Sequence, residues 1–431
     1  MTSMASQREE VERSLAAGDL PRALDLSAAL IDSDPTNADF LSLRAAALMT
    51  SGNAHAAVDL LGGPAHAPAA PFAIKAALAM CQRAAGDLEG AAHMFRSALA
   101  ERANDFALRL AFAECLDLQH DVEAAVAEYF HAVNDAQRMG RWLSDASTAP
   151  AMRERVKRAM DVIDVGRHAL FERVLQPHVD AFGTDSMARV AEALQIYLGT
   201  QDPPERDPRQ QPKFFWMPEL PPTPFFGRAQ FAWYSALEAA TPFIQDELRA
   251  VLDSSRELTP FLQIDDKRAE DDYLGGDPER RAWDGFFFYR HGERFLDAHA
   301  ACPNTSQALA QVPLTQVADH APEVLFSVLA PQTHIKPHHG VTNTRVVTHL
   351  PLLIPQGDCK LVVGDAEHAW QEGRCITFDD TFLHEAWNRT DQRRVVLILD
   401  TWNPYLMPEE CIALKDLIER IGDFNVRAGV N

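Results

Sequence analysis

The chain has 431 residues, 47% hydrophobic and 24% charged, enough for two or three domains with real buried cores. Its formal net charge of −22 gives it neither the basic footprint of a nucleic-acid binder nor the polybasic patch of a membrane-surface protein. Six cysteines, at 81, 115, 302, 359, 375 and 411, form no CxxC pair, which argues against a zinc ribbon or a disulfide framework and for free thiols in a reducing compartment. The first twenty residues lack the apolar region of a secretory signal, and no stretch reaches the ~18–20 apolar residues of a membrane span. A cytoplasmic protein is expected.

Residues 1–135 repeat. Gly18, Gly52 and Gly86 recur every 34 residues, His120 takes the next place, and five residues after each stands Ala23, Ala57, Ala91 or Ala125. A glycine or polar residue permits a tight turn between two helices, and the small alanine lets them approach closely. Asp34, Pro35, Thr36 and Asn37 end the first unit, since proline cannot continue a helix. This pattern resembles tetratricopeptide repeats, which stack into a solenoid whose concave face suits a polypeptide partner. The run GGPAHAPAAP at 62–71 is expected to interrupt the second unit between its helices. Over 136–200 apolar residues keep i, i+3, i+4 spacing, so capping and connecting helices are predicted. Residues 201–212, dense in proline and charge, read as a linker.

From 213 to 431 the character changes. A helix is predicted over 241–255, followed by β-type runs bounded by Gly, Asp and Pro: AWDGFFFYRHG, EVLFSVLA, TRVVTHLPLLIP, CKLVVG, GRCITFDD and RRVVLILDTWNP. Short runs of this kind indicate a β-sandwich or barrel. Six histidines, at 334, 338, 339, 349, 368 and 384, gather in this region, which raises the prospect of a metal site without saying which pair would form it. Strand alternation puts Arg345, Val347, His349 and Pro351 on one face of their strand, and Arg394, Val396, Ile398 and Asp400 on one face of theirs. A charged Arg394 within so apolar a run is costly unless it meets an anion.

The strings HIKPHHG at 334–340, TNTR at 342–345, HLPL at 349–352, WQEG at 370–373, FDDTFLHEAWN at 378–388 and DTWNP at 400–404 resemble the aspartyl/asparaginyl β-hydroxylase family. The resemblance covers roughly 215–405. It implies an α+β multidomain chain, a tetratricopeptide-like α-helical solenoid followed by a double-stranded β-helix (jelly-roll) domain. It also implies an oxygenase using Fe(II), 2-oxoglutarate and O2. Carried over by position, His338 and His384 would bind the metal and Arg394 would pair with the distal carboxylate of 2-oxoglutarate. Ser327 would assist Arg394, and His349 would lie near the other end of the co-substrate. The implied substrate is the β-carbon of Asp or Asn in a polypeptide held by the repeats. The rival readings are a small-molecule or lipid-acyl hydroxylase and a catalytically inactive repeat-barrel binding protein.

Two positions depart from what an iron oxygenase leads one to expect. Gly340 stands where most members of that larger class carry a third, carboxylate ligand, although this family resembles the chain in having glycine there. Val347 stands where the family is expected to carry an arginine near the co-substrate, so Arg345, on the same strand face, is the candidate replacement. Asp379 and Asp380 are expected to form a turn or to support the site from behind. Trp370, Trp387 and Trp402 are expected to pack the barrel, with His334, His339 and His368 at its rim.

Overall fold

The computed structural model describes residues 4–254, 258–262 and 270–430, which divide into two compact units, 1–170 with 423–431, and 171–422. The first begins with eight helices: α1 Met4–Ala17, α2 Leu20–Ser33, α3 Ala38–Thr50, α4 Ala54–Ala65, α5 Phe72–Ala85, α6 Leu88–Glu101, α7 Phe106–Leu118 and α8 Val122–Arg138. The 34-residue period is a period in backbone conformation. Gly18, Gly52 and Gly86 turn at φ +73°, +82° and +88°, and His120 adopts the same left-handed region at +62°. Ala23, Ala57, Ala91 and Ala125 are all buried. Asp19, Asp87 and Asp121 cap the helices that follow by accepting from the backbone N–H groups of Arg22, Gly90 and Ala124.

The GGP run does not fall where expected. Gly62, Gly63 and Pro64 close the last turn of α4, and the irregular stretch 66–71 separates the second hairpin from the third. Proline removes a hydrogen bond to the residue four back, a small loss in a helix about to stop. Two further helices follow, α9 Arg153–Phe182 and α10 Thr184–Leu198. No described helix is long and apolar enough to cross a membrane.

The second unit carries α11 Tyr234–Ala239 and α12 Thr241–Asp253, then the strands β1 Thr259–Pro260, β2 Leu274–Gly275, β3 Trp283–Arg290 and β4 Glu293–Arg294. After α13 Leu296–Ala301 and α14 Pro303–Leu309 come β5 Val324–Leu329, β6 Thr333–His338, β7 Arg345–Leu353 and β8 Cys359–Val363. The last elements are β9 Ala366–His368, β10 Ile376–Phe378, β11 His384–Asn388, β12 Arg394–Trp402 and α15 Pro408–Arg427. These strands all pair antiparallel, and they build one sheet in the order β1-β3-β5-β12-β7-β10, with β4 beside β3, and a second in the order β2-β6-β11-β8-β9. From β5 to β12 the chain passes between the sheets twice over in the same sense, which is the double-stranded β-helix.

Alternation divides each strand of the larger sheet. Val324, Phe326 and Val328, with Val346, Leu350 and Leu352 and with Val395, Leu397 and Leu399, pack in one apolar cluster with Leu237, Ile244 and Leu248 of the helices. Their neighbours Ser327, Arg345, Val347, His349, Arg394, Val396, Ile398 and Asp400 occupy the opposite face and point into the barrel. One-residue register errors are therefore heavily penalised. The stretch 201–212, expected as a linker, ends as part of this unit. Gln210 is buried, Gln211 N–H donates to Thr381 O at 2.8 Å, and Lys213 N–H donates to Gly340 O at 3.1 Å.

Candidate active site

The inward side chains enclose a cavity of about 280 Å³, lined among others by Ser327, His338, Arg345, His349, His384 and Arg394. All six residues singled out in the sequence thus reach one space. His338 and His384 face each other as cross-strand partners of β6 and β11, with ring centroids 4.1 Å apart and planes tilted by 51°. The register shifts between His384 and Ala386, opposite Pro337, whose missing N–H cannot join the ladder.

Each ring is held in one tautomer. Nδ1–H of His338 donates to Lys336 O at 2.8 Å, and Nδ1–H of His384 donates to Phe382 O at 3.0 Å. Nε2 of each is then the lone-pair nitrogen. Burial pushes both rings down to about 4, with the neighbouring His384 adding to the effect on His338, so both are neutral near pH 7. Two neutral imidazoles with fixed lone pairs suit a divalent cation.

Among the described residues no group of three or more His, Cys, Asp or Glu side chains is arranged to hold a metal. Gly340 is packed against a carboxylate. A Cβ there would lie 2.2–2.4 Å from the carboxyl atoms of Asp380, so an aspartate at 340 cannot coexist with Asp380 in this conformation. Gly340 N–H donates to Asp380 O at 2.6 Å, holding the two close.

Arg394 is 1% exposed, and among the described residues it pairs with no carboxylate. A terminal guanidinium nitrogen donates to Ser327 Oγ at 3.5 Å, and its Nε has no hydrogen-bond partner. The guanidinium carbon lies 4.7 Å from the Trp370 ring centroid, and burial pulls the group down to about 10. A buried cation without a carboxylate partner has the chemistry to accept an anion. Trp370, expected only as packing, therefore belongs to the site. It also donates its indole N–H to His349 Nδ1 at 3.3 Å, which leaves the His349 proton on Nε2. Burial, then Arg394, holds His349 far below the usual histidine range, as a neutral donor.

Trp283 is a second residue that sequence reasoning missed. Its indole N–H donates to Ser327 Oγ at 3.0 Å, and its ring stacks on Phe261 at 3.9 Å. Ser327 Oγ thus accepts from Trp283 and keeps its own O–H to donate.

Arg345 lines the cavity as expected but in another condition. One terminal nitrogen lies 3.0 Å from Asp400 and 3.5 Å from Asp380, so its charge is already balanced within the protein. As a replacement for an arginine at 347 it is compromised, because those carboxylates hold it. Asp379 takes the turn role: it accepts from Thr381 N–H at 2.9 Å and from Gln210 at 2.6 Å. His334 pairs with Glu385 at 2.6 Å, and neither it nor His368 lines the cavity, whereas His339 does.

Comparison with known proteins agrees with this layout. Residues 238–404 match the family model described as aspartyl/asparaginyl beta-hydroxylase, and residues 82–143 match a tetratricopeptide repeat model. Human aspartyl/asparaginyl beta-hydroxylase is 34% identical over 175 residues, 41% of this chain and 22% of that protein. The ornithine lipid ester-linked acyl 2-hydroxylase of Rhizobium tropici is 34% identical over 189 residues, 43% of this chain and 62% of that protein. The chain thus covers less than two thirds of either relative. A solved prolyl-4-hydroxylase of Pseudomonas putida covers 42% of the chain at 15% identity and a TM-score of 0.24, too slight a likeness to add to the topology. Family model and strand order coincide: residues 238–404, which match the aspartyl/asparaginyl beta-hydroxylase family model, contain the strands of both sheets, and they follow the tetratricopeptide repeat match at 82–143.

Proposed function

We propose that the barrel is an Fe(II)- and 2-oxoglutarate-dependent hydroxylase acting on the β-carbon of an Asp or Asn residue in a polypeptide. The observation that carries this reading is the buried, carboxylate-free Arg394 sharing one cavity with two tautomer-fixed imidazoles. His338 and His384 would hold the metal through Nε2. Arg394 would take the distal carboxylate of the co-substrate, since a planar fork matches a carboxylate bidentately. Ser327 O–H adds a donor beside it, Trp370 supports the guanidinium from its face, and the His349 Nε2–H offers a donor to the other end of the molecule. When bound, iron with 2-oxoglutarate and O2 supplies the oxidation: one oxygen atom enters the substrate C–H bond and the other leaves in succinate, with release of CO2.

The protein's own contribution is placement and a dry wall. Val347, Phe378 and Ile398 line the same space and limit water around the reacting centre. The six cysteines are free and five of them are buried, which suits the cytoplasmic location included in the proposal. The repeat unit is the part suited to holding a polypeptide. The apolar walls favour acyl-chain hydroxylation as the second reading, and the similar rhizobial protein is named for that chemistry.

The test is anaerobic titration with Fe(II) and 2-oxoglutarate, following the weak visible charge-transfer band of the chelate. Wild type should develop the band, and His338→Ala and His384→Ala should lose it. Unchanged bands and unchanged succinate formation in both variants would remove the metal assignment.

A further inference from the structure

The two ends of the cavity carry opposite charge. Arg394 stands alone at the closed end. At the other end, where Val341 is 41% exposed, the lining includes Asp380, Asp400 and Glu323 against one cation, Arg345. That arginine is already engaged by Asp400 and Asp380. Glu323 is turned to the His291 backbone N–H at 2.6 Å and to its ring at 3.0 Å. Three carboxylates thus outnumber the cations lining that end, and burial weakens the screening between charges.

Its hydrogen-bonding character is equally one-sided. Asp380 is 7% exposed, and its Oδ1 is a buried acceptor with no partner. His339 donates Nδ1–H to Thr381 O at 2.8 Å, which leaves Nε2 as an acceptor. Among the described residues, the remaining lining there includes Val347 and Ile398, and no unpaired cation. An unpartnered buried acceptor calls for a donor. A water held at the metal would satisfy Asp380 Oδ1 but would leave the carboxylate's charge in place.

We propose that the hydroxylated residue presents an uncharged, N–H-bearing group, an asparagine carboxamide rather than an aspartate carboxylate. The proposal rests on the hydroxylase reading above. A carboxamide brings two donors to Asp380 and His339 and adds no charge. A carboxylate would enter among like charges with no unpaired side-chain cation to meet it, since Arg394 would be occupied by the co-substrate, whose two carboxylates would offset the charge of Fe(II) at His338 and His384. The same balanced reaction applies, with the Asn β-C–H bond taking the oxygen atom.

The experiment uses two peptide pools with identical randomised flanks, their centres fixed as Asn or as Asp. Full-length enzyme, Fe(II), 2-oxoglutarate and O2 are supplied, and +16 Da products are followed by mass spectrometry. The expected kcat/KM ratio is at least about 100-fold in favour of the Asn pool. Val347→Lys places a cation on the inward face of β7 between Arg345 and His349, and should narrow that ratio about 10-fold by raising turnover of the Asp pool. Equal turnover, an Asp preference, or oxygen entering acyl-lipid vesicles and neither pool would each overturn the inference. The Fe(II)–2-oxoglutarate band, recorded without peptide, separates the two claims. A normal band with no Asn preference rejects this inference alone, and a missing band rejects the hydroxylase reading itself. Should Val347→Lys not fold, the wild-type ratio decides.

Discussion

The closed and open ends of the barrel each hold an arginine on paired strands, the buried Arg394 on β12 and the half-buried Arg345 on β7, and the two are in opposite conditions. Arg345 meets Asp400 and Asp380, whose charges outweigh its desolvation and raise its proton affinity. Arg394 meets no carboxylate, and desolvation lowers its affinity to about 10. Desolvation acts on both, so it does not mark function. The missing partner does. A cation that the fold leaves without a carboxylate is the candidate position for a ligand's charge.

The comparison breaks most completely if the imidazoles between the two ends are not the metal site. His338→Ala or His384→Ala should lower succinate formation by more than about 100-fold, beyond the 10–100-fold typical of residues that only orient a ligand. Steady-state succinate assays read this directly. The same two variants should leave the fold in place, as circular dichroism would show.

Next in size is a pair of substitutions with opposite signs. Arg345→Met leaves Asp400 and Asp380 buried without their cation and should cost about 3–5 kcal/mol of stability. Arg394→Met removes a buried charge that has no partner and should raise the Tm of the ligand-free protein. It should also raise the KM for 2-oxoglutarate roughly 10–100-fold, the value of a charge-assisted hydrogen-bonding pair. Thermal unfolding of both variants side by side is the check. Loss of stability in both would mean that Arg394 has a structural anion after all.

A pH series sharpens the comparison at smaller scale. Folded His384 titrates at about 4, against ~6.5 when exposed. Between those values the unfolded chain binds a proton that the fold does not, so this imidazole's contribution falls as pH drops from 6.5 to 4 and is constant above. Asp379 and Asp400, pushed up to about 6 by burial, act the other way: the fold keeps their protons where the unfolded chain has lost them. The imidazole effect is therefore read as the difference between metal-free wild type and His384→Gln. The variant should gain on wild type by on the order of 2 kcal/mol from pH 7 to pH 4.5. A constant difference would mean that the ring is solvated.

How much of this was legible in the sequence depended on periodicity and apolarity. The repeats were plain because each turn and each close approach recurs at 34 residues. Among the β-type runs, those that became β3, β5, β7, β10 and β12 all lie in the larger sheet, whose strands pack against helices and so are rich in Val, Leu and Phe. The strands that carry the histidines, THIKPH and HEAWN, belong to the smaller sheet and were not recognisable as strands. Lys336 and Pro337 interrupt one, and His384 and Glu385 open the other, so neither shows a clean apolar alternation. Motif resemblance located those residues where strand propensity did not. The carboxylate partners of Arg345 were not legible, because Asp380 and Asp400 meet it only through the barrel's closure. Trp370 looked like packing, and Trp283 was not singled out, for a similar reason: an indole's partner is set by the facing strand.

The smallest expected effect lies in the repeat unit, where four turns allow an internal comparison. Gly18, Gly52 and Gly86 adopt positive φ without steric conflict, since a Cβ at each would meet nothing within 4 Å. His120 shows this directly, being an exposed side chain at the same conformation, φ +62°. Its cost is therefore backbone strain, roughly 1–2 kcal/mol for an L-residue and somewhat less for histidine. His120→Gly removes that strain but frees the unfolded chain, which offsets roughly 0.4–1 kcal/mol of the gain. A net stabilisation of about 0.5 kcal/mol is expected, measured as a small rise in the denaturant midpoint with an unchanged m-value. A loss instead would mean that the His120 side chain holds the fourth hairpin through a contact the other three repeats do without.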